Sequence, residues 1–237
     1  MDYSIKRFLD KLLRGETTGF LDPLEYKIVI SKLKKDDYNI YNVYPDADRK
    51  ILYVDVPPKV TLFKINTKEN LRHQDIMGSL YSLNLDKNVF GDIIIDNGDY
   101  YFYVLENMSA YIKNNIFTIG RYNVEIEEID VNFLSEYSRK YEILNVIVPS
   151  LRIDAVISKI IGTSRKNILE IIKNKEVILN YSILKNESLI LKNGDIFSIR
   201  KYGKYQFSKV IKSTKKENII IEYFKYIWGV LWIIMMS

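Results

Sequence analysis

Residues 151–180 read LRIDAVISKIIGTSRKNILEIIKNKEVILN, and spacing alone places two helices and a strand in them. Ile153, Val156, Ile157, Ile160 and Ile161 recur at three- and four-residue intervals, the period of one helical face. Gly162 stops that helix. Ser164 is a residue type that caps a helix N-terminus, and Ile168, Leu169, Ile171 and Ile172 form the core side of the helix it opens. After Asn174-Lys175 a strand is expected at Val177–Asn180, then a turn at Tyr181-Ser182. Leu189–Lys192 leads into a second turn at Asn193-Gly194, and a strand at Ile196–Arg200 closes the unit.

Arg165 and Lys166 fall in the first turn of the second helix. That end of a helix carries partial positive charge, so each cation there costs about 0.3–1 kcal/mol. A bound phosphate would supply the reason, because free N–H groups, the dipole and both side chains converge on it. The competing reading is that both side chains extend into solvent. Lys173 and Lys175 lie at the opposite end, where cations are favoured anyway. Charge is unevenly spread. Residues 150–210 hold 12 Lys/Arg against 5 Asp/Glu, whereas residues 1–149 hold 19 against 23. A basic segment behind an acidic body points to a polyanionic partner.

The motifs Leu151-Arg152-Ile153-Asp154, Thr163-Ser164-Arg165-Lys166, Ile171-Ile172-Lys173, Val177-Ile178-Leu179-Asn180 and Asn193-Gly194-Asp195-Ile196 resemble, in order and spacing, an S4 domain. The resemblance implies an RNA-binding module of the αL type. Ile153 stands where that pattern has Leu, and Tyr181 where it has Gly, which predicts a looser turn after Asn180.

Upstream, Ile5, Phe8, Leu9, Leu12 and Leu13 mark an amphipathic helix ended by Gly15. It lacks the continuous apolar core of a signal peptide, so a cytoplasmic protein is expected. Asp22-Pro23 opens a second helix running to about Lys35. Strands at Asn39–Tyr44 and Ile51–Asp55 flank the turn-rich residues 45–48, and Pro57-Pro58 marks a boundary. The middle reads as strand Val60–Asn66, helix Glu69–Leu83, strands Asp92–Asp96 and Tyr100–Leu105 about an Asn97-Gly98 turn, helix Asn107–Asn114, and strand Tyr122–Glu128. That βαββαβ order is the split arrangement of ferredoxin-like and RRM-like domains. Val131–Val148 reads as a connector with a short helix and a strand, ending at Pro149. The stretches Leu71–Leu80, Gly91–Ile95 and Ile119-Gly120-Arg121 resemble the middle domain of YlmH-type S4 proteins, with Gln74 in place of an Arg. This likeness covers roughly residues 1–227. It implies an RNA-binding, ribosome-associated role in handling stalled large subunits that carry peptidyl-tRNA.

The absence of Cys excludes disulfides and thiolate metal sites. The one histidine, His73, cannot build a His-pair metal site. A triad with Asp75 and Ser79 lacks a nucleophile elbow, so His73 is read as a helix-start residue that bonds locally or touches RNA. No Walker or Rossmann motif occurs. Asp92 invites comparison with the catalytic Asp of S4-linked pseudouridine synthases, yet reads more simply as a strand-start residue. Tyr100, Tyr101, Phe102 and Tyr103 alternate across a strand, one pair for the core and the other suited either to stacking bases or to plain packing. Tyr202, Tyr205 and Phe207 interleave with Lys201, Lys204 and Lys209 in a pattern suited to RNA stacking or to domain docking. The apolar run Ile227–Met236 is too short to span a bilayer and would pack on the body or on a partner.

The expected architecture is therefore α+β: an N-terminal helical and hairpin segment (1–57), an RRM-like domain (58–148), an S4 module (149–210) and an extension (211–237). The expected function is non-catalytic binding of structured RNA, ribosomal or transfer, on the large ribosomal subunit. No cofactor, metal or DNA is expected, and the chain should be a monomer. The RNA-contact candidates are Arg152, Ser164, Arg165, Lys166 and Lys173, extended by Lys201 and Lys204, with Arg72, His73 and Arg121 in the middle domain. An RNA-modifying enzyme of the pseudouridine-synthase type, or a membrane- or protein-docking factor acting through the tail, are the alternatives.

Overall fold

The computed structural model of the chain describes residues 3–214 and 218–227. It is α+β, with one compact unit running to Arg139 and a second spanning Lys140–Ile227. Beyond Ile227 the apolar tail lies outside the described residues.

In the first unit, α1 (Tyr3–Leu13) buries Ile5, Phe8 and Leu12 with Leu21, Val29 and Leu52. Helix α2 (Pro23–Ile30) opens with a capping box, in which the Asp22 carboxylate accepts from the Leu24 and Glu25 N–H groups while Glu25 accepts from Asp22. It stops five residues before the expected end. Strands β1 (Asn39–Tyr41) and β2 (Ile51–Tyr53) pair antiparallel, and residues 43–48 between them feed Val43, Tyr44 and Ala47 into a core.

The middle segment supplies β3 (Val60–Asn66), α3 (His73–Tyr81), β4 (Phe90–Asp96), β5 (Asp99–Leu105), α4 (Glu106–Lys113), a short ribbon of β6 (Thr118–Ile119) and β7 (Tyr122–Asn123), and β8 (Glu125–Ile129). The four long strands lie antiparallel in the order β4-β5-β3-β8, the split βαβ topology expected from the element order. Asp96 pairs with Asp99 across Asn97 and Gly98, both at positive φ, as a two-residue primed turn requires.

Of the two readings of β5, base stacking and plain packing, the structure shows packing. Tyr100, Tyr101, Phe102 and Tyr103 are all buried. Tyr101 and Tyr103 pack with Phe20, Val43, Tyr44 and Leu134, while Phe102 stacks on Phe63. Alternation predicts one wet face only when a sheet is covered on one side, and this one is covered on both.

The second unit is built on a six-stranded antiparallel sheet, β11-β10-β12-β13-β14-β9. Its strands are β9 (Tyr141–Val148), β10 (Val177–Leu179), β11 (Ser182–Ile183), β12 (Ile196–Ile199), β13 (Gly203–Ser213) and β14 (Ile219–Tyr226). Helices α5 (Ile153–Ile160) and α6 (Arg165–Lys173) bury Ile153, Val156, Ile157, Ile168 and Ile172 against Val177, Phe197, Ile199, Phe207 and Ile221. Leu169, expected in that core, is 43% exposed. Strand β9, expected in a connector, is an edge strand paired with β14 from Tyr141↔Tyr226 to Val148↔Ile219. The turn after Asn180 is tight rather than loose. Leu179 pairs directly with Ser182, with Asn180 and Tyr181 both at positive φ. The Asn180 side chain anchors it, donating to Asp195 at 2.8 Å and accepting from the Ile196 N–H at 3.0 Å.

Candidate nucleic-acid interface

The start of α5 is set by Arg152, whose backbone occupies the N-cap, and by segment 189–191, which runs beside it through Ile153 N–H to Leu189 O (2.8 Å) and Leu191 N–H to Leu151 O (2.9 Å). Asp154 follows in the first turn, where a carboxylate is favoured by the helix dipole. It is 1% exposed. Arg152 grips it with two nitrogens, Nε to Oδ1 at 3.2 Å and Nη2 to Oδ2 at 3.0 Å. Arg165, the first residue of α6, donates Nη2 to the same Oδ2 at 2.6 Å. Burial pushes the Asp154 carboxyl up, but hydrogen bonds from Arg152 and Arg165 outweigh it and hold the group below the usual carboxylate range.

One buried carboxylate thus fixes two guanidinium groups that enter from different helices. Their side chains remain 37% and 51% exposed, so N–H donors of both stay in solvent. The electrostatic cost of Arg165 at a helix N-terminus therefore has an intramolecular answer, beside the phosphate and the solvent between which the sequence leaves the choice. Ser164 caps α6, its Oγ accepting from the Asn167 N–H at 3.2 Å. Lys166 and Lys173 are exposed on α6.

Lys204 is a correction. It is 5% exposed, and its ammonium lies 5.2 Å from the Tyr226 ring centroid and 5.6 Å from that of Tyr181. That is a packed cation–π arrangement, closed to a phosphate. Tyr205 and Phe207 are also buried, and Lys209 pairs with Glu222 at 3.6 Å, so of the interleaved run only Lys201 and Tyr202 are exposed without an inward role.

In the first unit Arg72 is exposed at the start of α3 and forms a two-nitrogen pair with Asp75 (2.7 and 2.9 Å). Arg121 is exposed, donates to the Tyr122 hydroxyl at 2.9 Å and stacks over that ring. His73 is buried, so an RNA contact by this side chain is ruled out in the fold as it stands. Burial pushes its pKa down to about 4, which keeps the ring neutral. Asp92 is wholly buried, accepting from the Tyr44 hydroxyl (2.6 Å) and the Asp48 N–H (2.7 Å), with Arg139 bridging it to Asp48. It ties three segments of the first unit together and has no reach to a substrate. Among the described residues no His/Cys/Asp/Glu group could hold a metal ion, and no helix is long and apolar enough to cross a membrane.

Asp154 is the functional residue that sequence reasoning missed. The signal was present as an Arg-x-Asp at one helix start and an Arg at the next.

Residues 59–133 match the family described as "Putative RNA-binding domain in YlmH". Over 225 residues the chain is 27% identical to the ribosome-associated protein quality control protein P2 of Bacillus subtilis (strain 168), covering 90% of this chain and 88% of that protein. It also aligns with the cell division protein ylmH from Streptococcus pneumoniae at 16% identity and a TM-score of 0.45, over 57% of this chain and 97% of that one. On the first two of these matches, the chain is similar to YlmH-type proteins, in residues 59–133 by the family description and over most of its length by the Bacillus relative.

Proposed function

We propose that the chain is a ribosome-associated RNA-binding factor that grips structured RNA through the exposed nitrogens of Arg152 and Arg165 and the neighbouring Lys166 and Lys173. The observation that carries this reading is the buried Asp154. It holds two half-exposed guanidinium groups in fixed positions before any ligand arrives. A planar fork held in place loses less freedom on meeting a phosphate than a free side chain does. The basic balance of residues 150–210 supports the same reading, and the RNA-binding family description matched by residues 59–133 supports RNA as the partner of the chain. The name of the Bacillus relative supports the ribosome as the setting, with the large subunit as the finer proposal. RNA is bound here and not altered: Asp92, the residue that motivated the modifying alternative, is enclosed.

Binding of a labelled ribosomal RNA hairpin should be measured from 50 to 300 mM salt. Affinity should fall steeply, with a log–log slope of roughly −0.9 per phosphate contacted, and Lys166→Ala should flatten that slope by about one contact. A salt-insensitive interaction would sink the proposal.

A further inference from the structure

An RRM-like sheet ordinarily meets RNA on its open face, where aromatic side chains stack bases. In this chain that face is closed by Phe20, Val43, Tyr44 and Ala47. RNA contact by the first unit therefore needs a different surface.

Two of the family-like stretches, residues 71–80 and 119–121, converge away from that closed face. The Gly120 N–H donates to Ser79 Oγ at 3.2 Å, 41 residues away in sequence. Beside this contact lies an open pocket of about 420 Å³, lined mainly by Gln74, Gly78, Ser79, Ser82, Asn115 and Thr118. Its size is that of a small-molecule site. Its polar lining is amide and hydroxyl, offering donors and acceptors together, beside the apolar Leu83 and Ile116 that would meet the flat of a ring. Its one carboxylate, Asp75, is already engaged by Arg72. Gly78 is an interior residue of α3, where glycine is unfavourable, and a Cβ there would meet nothing within 4 Å. The missing side chain keeps the pocket open. Arg72 caps the same helix, and Arg121 follows Gly120 in sequence.

We infer that this pocket receives one unstacked nucleotide of a single-stranded RNA segment. The amides and hydroxyls read the edge of the base, and Arg72 and Arg121 meet the flanking phosphates. Neutral polar lining suits a base better than a backbone, which calls for a charged groove. The inference rests on the RNA-binding reading and adds a second contact point to it.

The test uses the full chain with two labelled probes, an unstructured ten-nucleotide RNA of mixed sequence and a 16-base-pair RNA duplex, read by fluorescence anisotropy. Gly78→Leu fills the pocket and improves helix propensity, so its melting temperature should not fall. It should weaken binding of the ten-mer at least tenfold and leave the duplex unchanged. Gln74→Ala, at an exposed position, should weaken the ten-mer several-fold without adding volume, and serves if Gly78→Leu melts early. Wild-type ten-mer binding in both pocket variants, alongside loss in Arg165→Ala/Lys166→Ala, would overturn the pocket and leave the second unit's role standing. So would a wild-type chain that binds the duplex but not the ten-mer. A wild-type chain that binds neither probe would overturn the RNA reading itself, and the pocket with it.

Discussion

Asp154→Asn separates a bulk-charge account of RNA binding from a positioning account, because the two predict opposite signs. The substitution removes a negative charge next to the proposed interface. At a distance of about 7 Å and an effective dielectric of 40, one unit charge repels a phosphate by roughly 1 kcal/mol. Bulk charge alone therefore predicts binding about fivefold tighter. Positioning predicts the reverse. Asparagine keeps one acceptor oxygen but loses the charge that draws in Arg152 Nε and Nη2 and Arg165 Nη2. Ordering a long side chain at an interface costs about 0.5–1.5 kcal/mol, and two are released here, for roughly 1–3 kcal/mol in all and about 2 at the midpoint. The difference leaves binding weaker by about 1 kcal/mol, near fivefold. Fold stability should drop by about 1–3 kcal/mol as charged hydrogen bonds to a buried group are lost. Anisotropy with a labelled RNA hairpin at 150 mM salt, on protein shown folded by circular dichroism, reads the sign directly. Tighter binding by Asp154→Asn would refute the positioning argument.

Other consequences follow from the same geometry. Because the folded pKa of His73 lies below its unfolded value of about 6.5, the stability it contributes is complete above that value and is lost as pH falls towards 4. The loss should approach roughly 3 kcal/mol, and urea titrations at pH 7 and 4.5 should show it shrinking in His73→Gln; equal pH slopes in both proteins would contradict the assignment. Lys204→Ala should destabilise the second unit by about 1–3 kcal/mol through lost packing between two tyrosine rings while leaving RNA affinity within twofold. Lys166→Ala should do the opposite, changing stability by less than about 0.5 kcal/mol and lowering affinity several-fold. Arg139→Met leaves Asp48 and Asp92 buried together, and should cost roughly 3–5 kcal/mol in a denaturation experiment on the first unit.

Local pattern carried much of the fold and stopped where distant residues intervene. The two helices of the second unit follow from isoleucine spacing, and the order of the middle elements was enough to fix its sheet topology. The strand within residues 131–148 is legible locally, but its place in the second unit's sheet is not, because its partner Ile219–Tyr226 lies more than seventy residues further on and no local period reports such a pairing. For the four aromatics of β5 the sequence leaves base stacking and plain packing both open, because alternation does not say whether a sheet has one wet side or none. Whether a second layer covers a sheet is a property of residues elsewhere, here Phe20, Val43 and Tyr44. The candidate site shows the same limit. Arg165 stood out as a cation at the wrong end of a helix, a signal local enough to read. That Asp154, eleven residues earlier, answers it needed the packing of α5 against α6. Lys204 looked like a surface cation from its neighbours Lys201 and Tyr202, and only the two rings that enclose it say otherwise.

The most direct test of the central claim is co-sedimentation with purified large ribosomal subunits, comparing wild type with Arg165→Ala/Lys166→Ala at 100 mM salt. Wild-type chain should pellet with the subunits and the double variant should remain in the supernatant. Equal pelleting of the two would contradict the claim that the start of α6 grips the RNA. Failure of the wild type to pellet even at low salt would remove the ribosome as its partner.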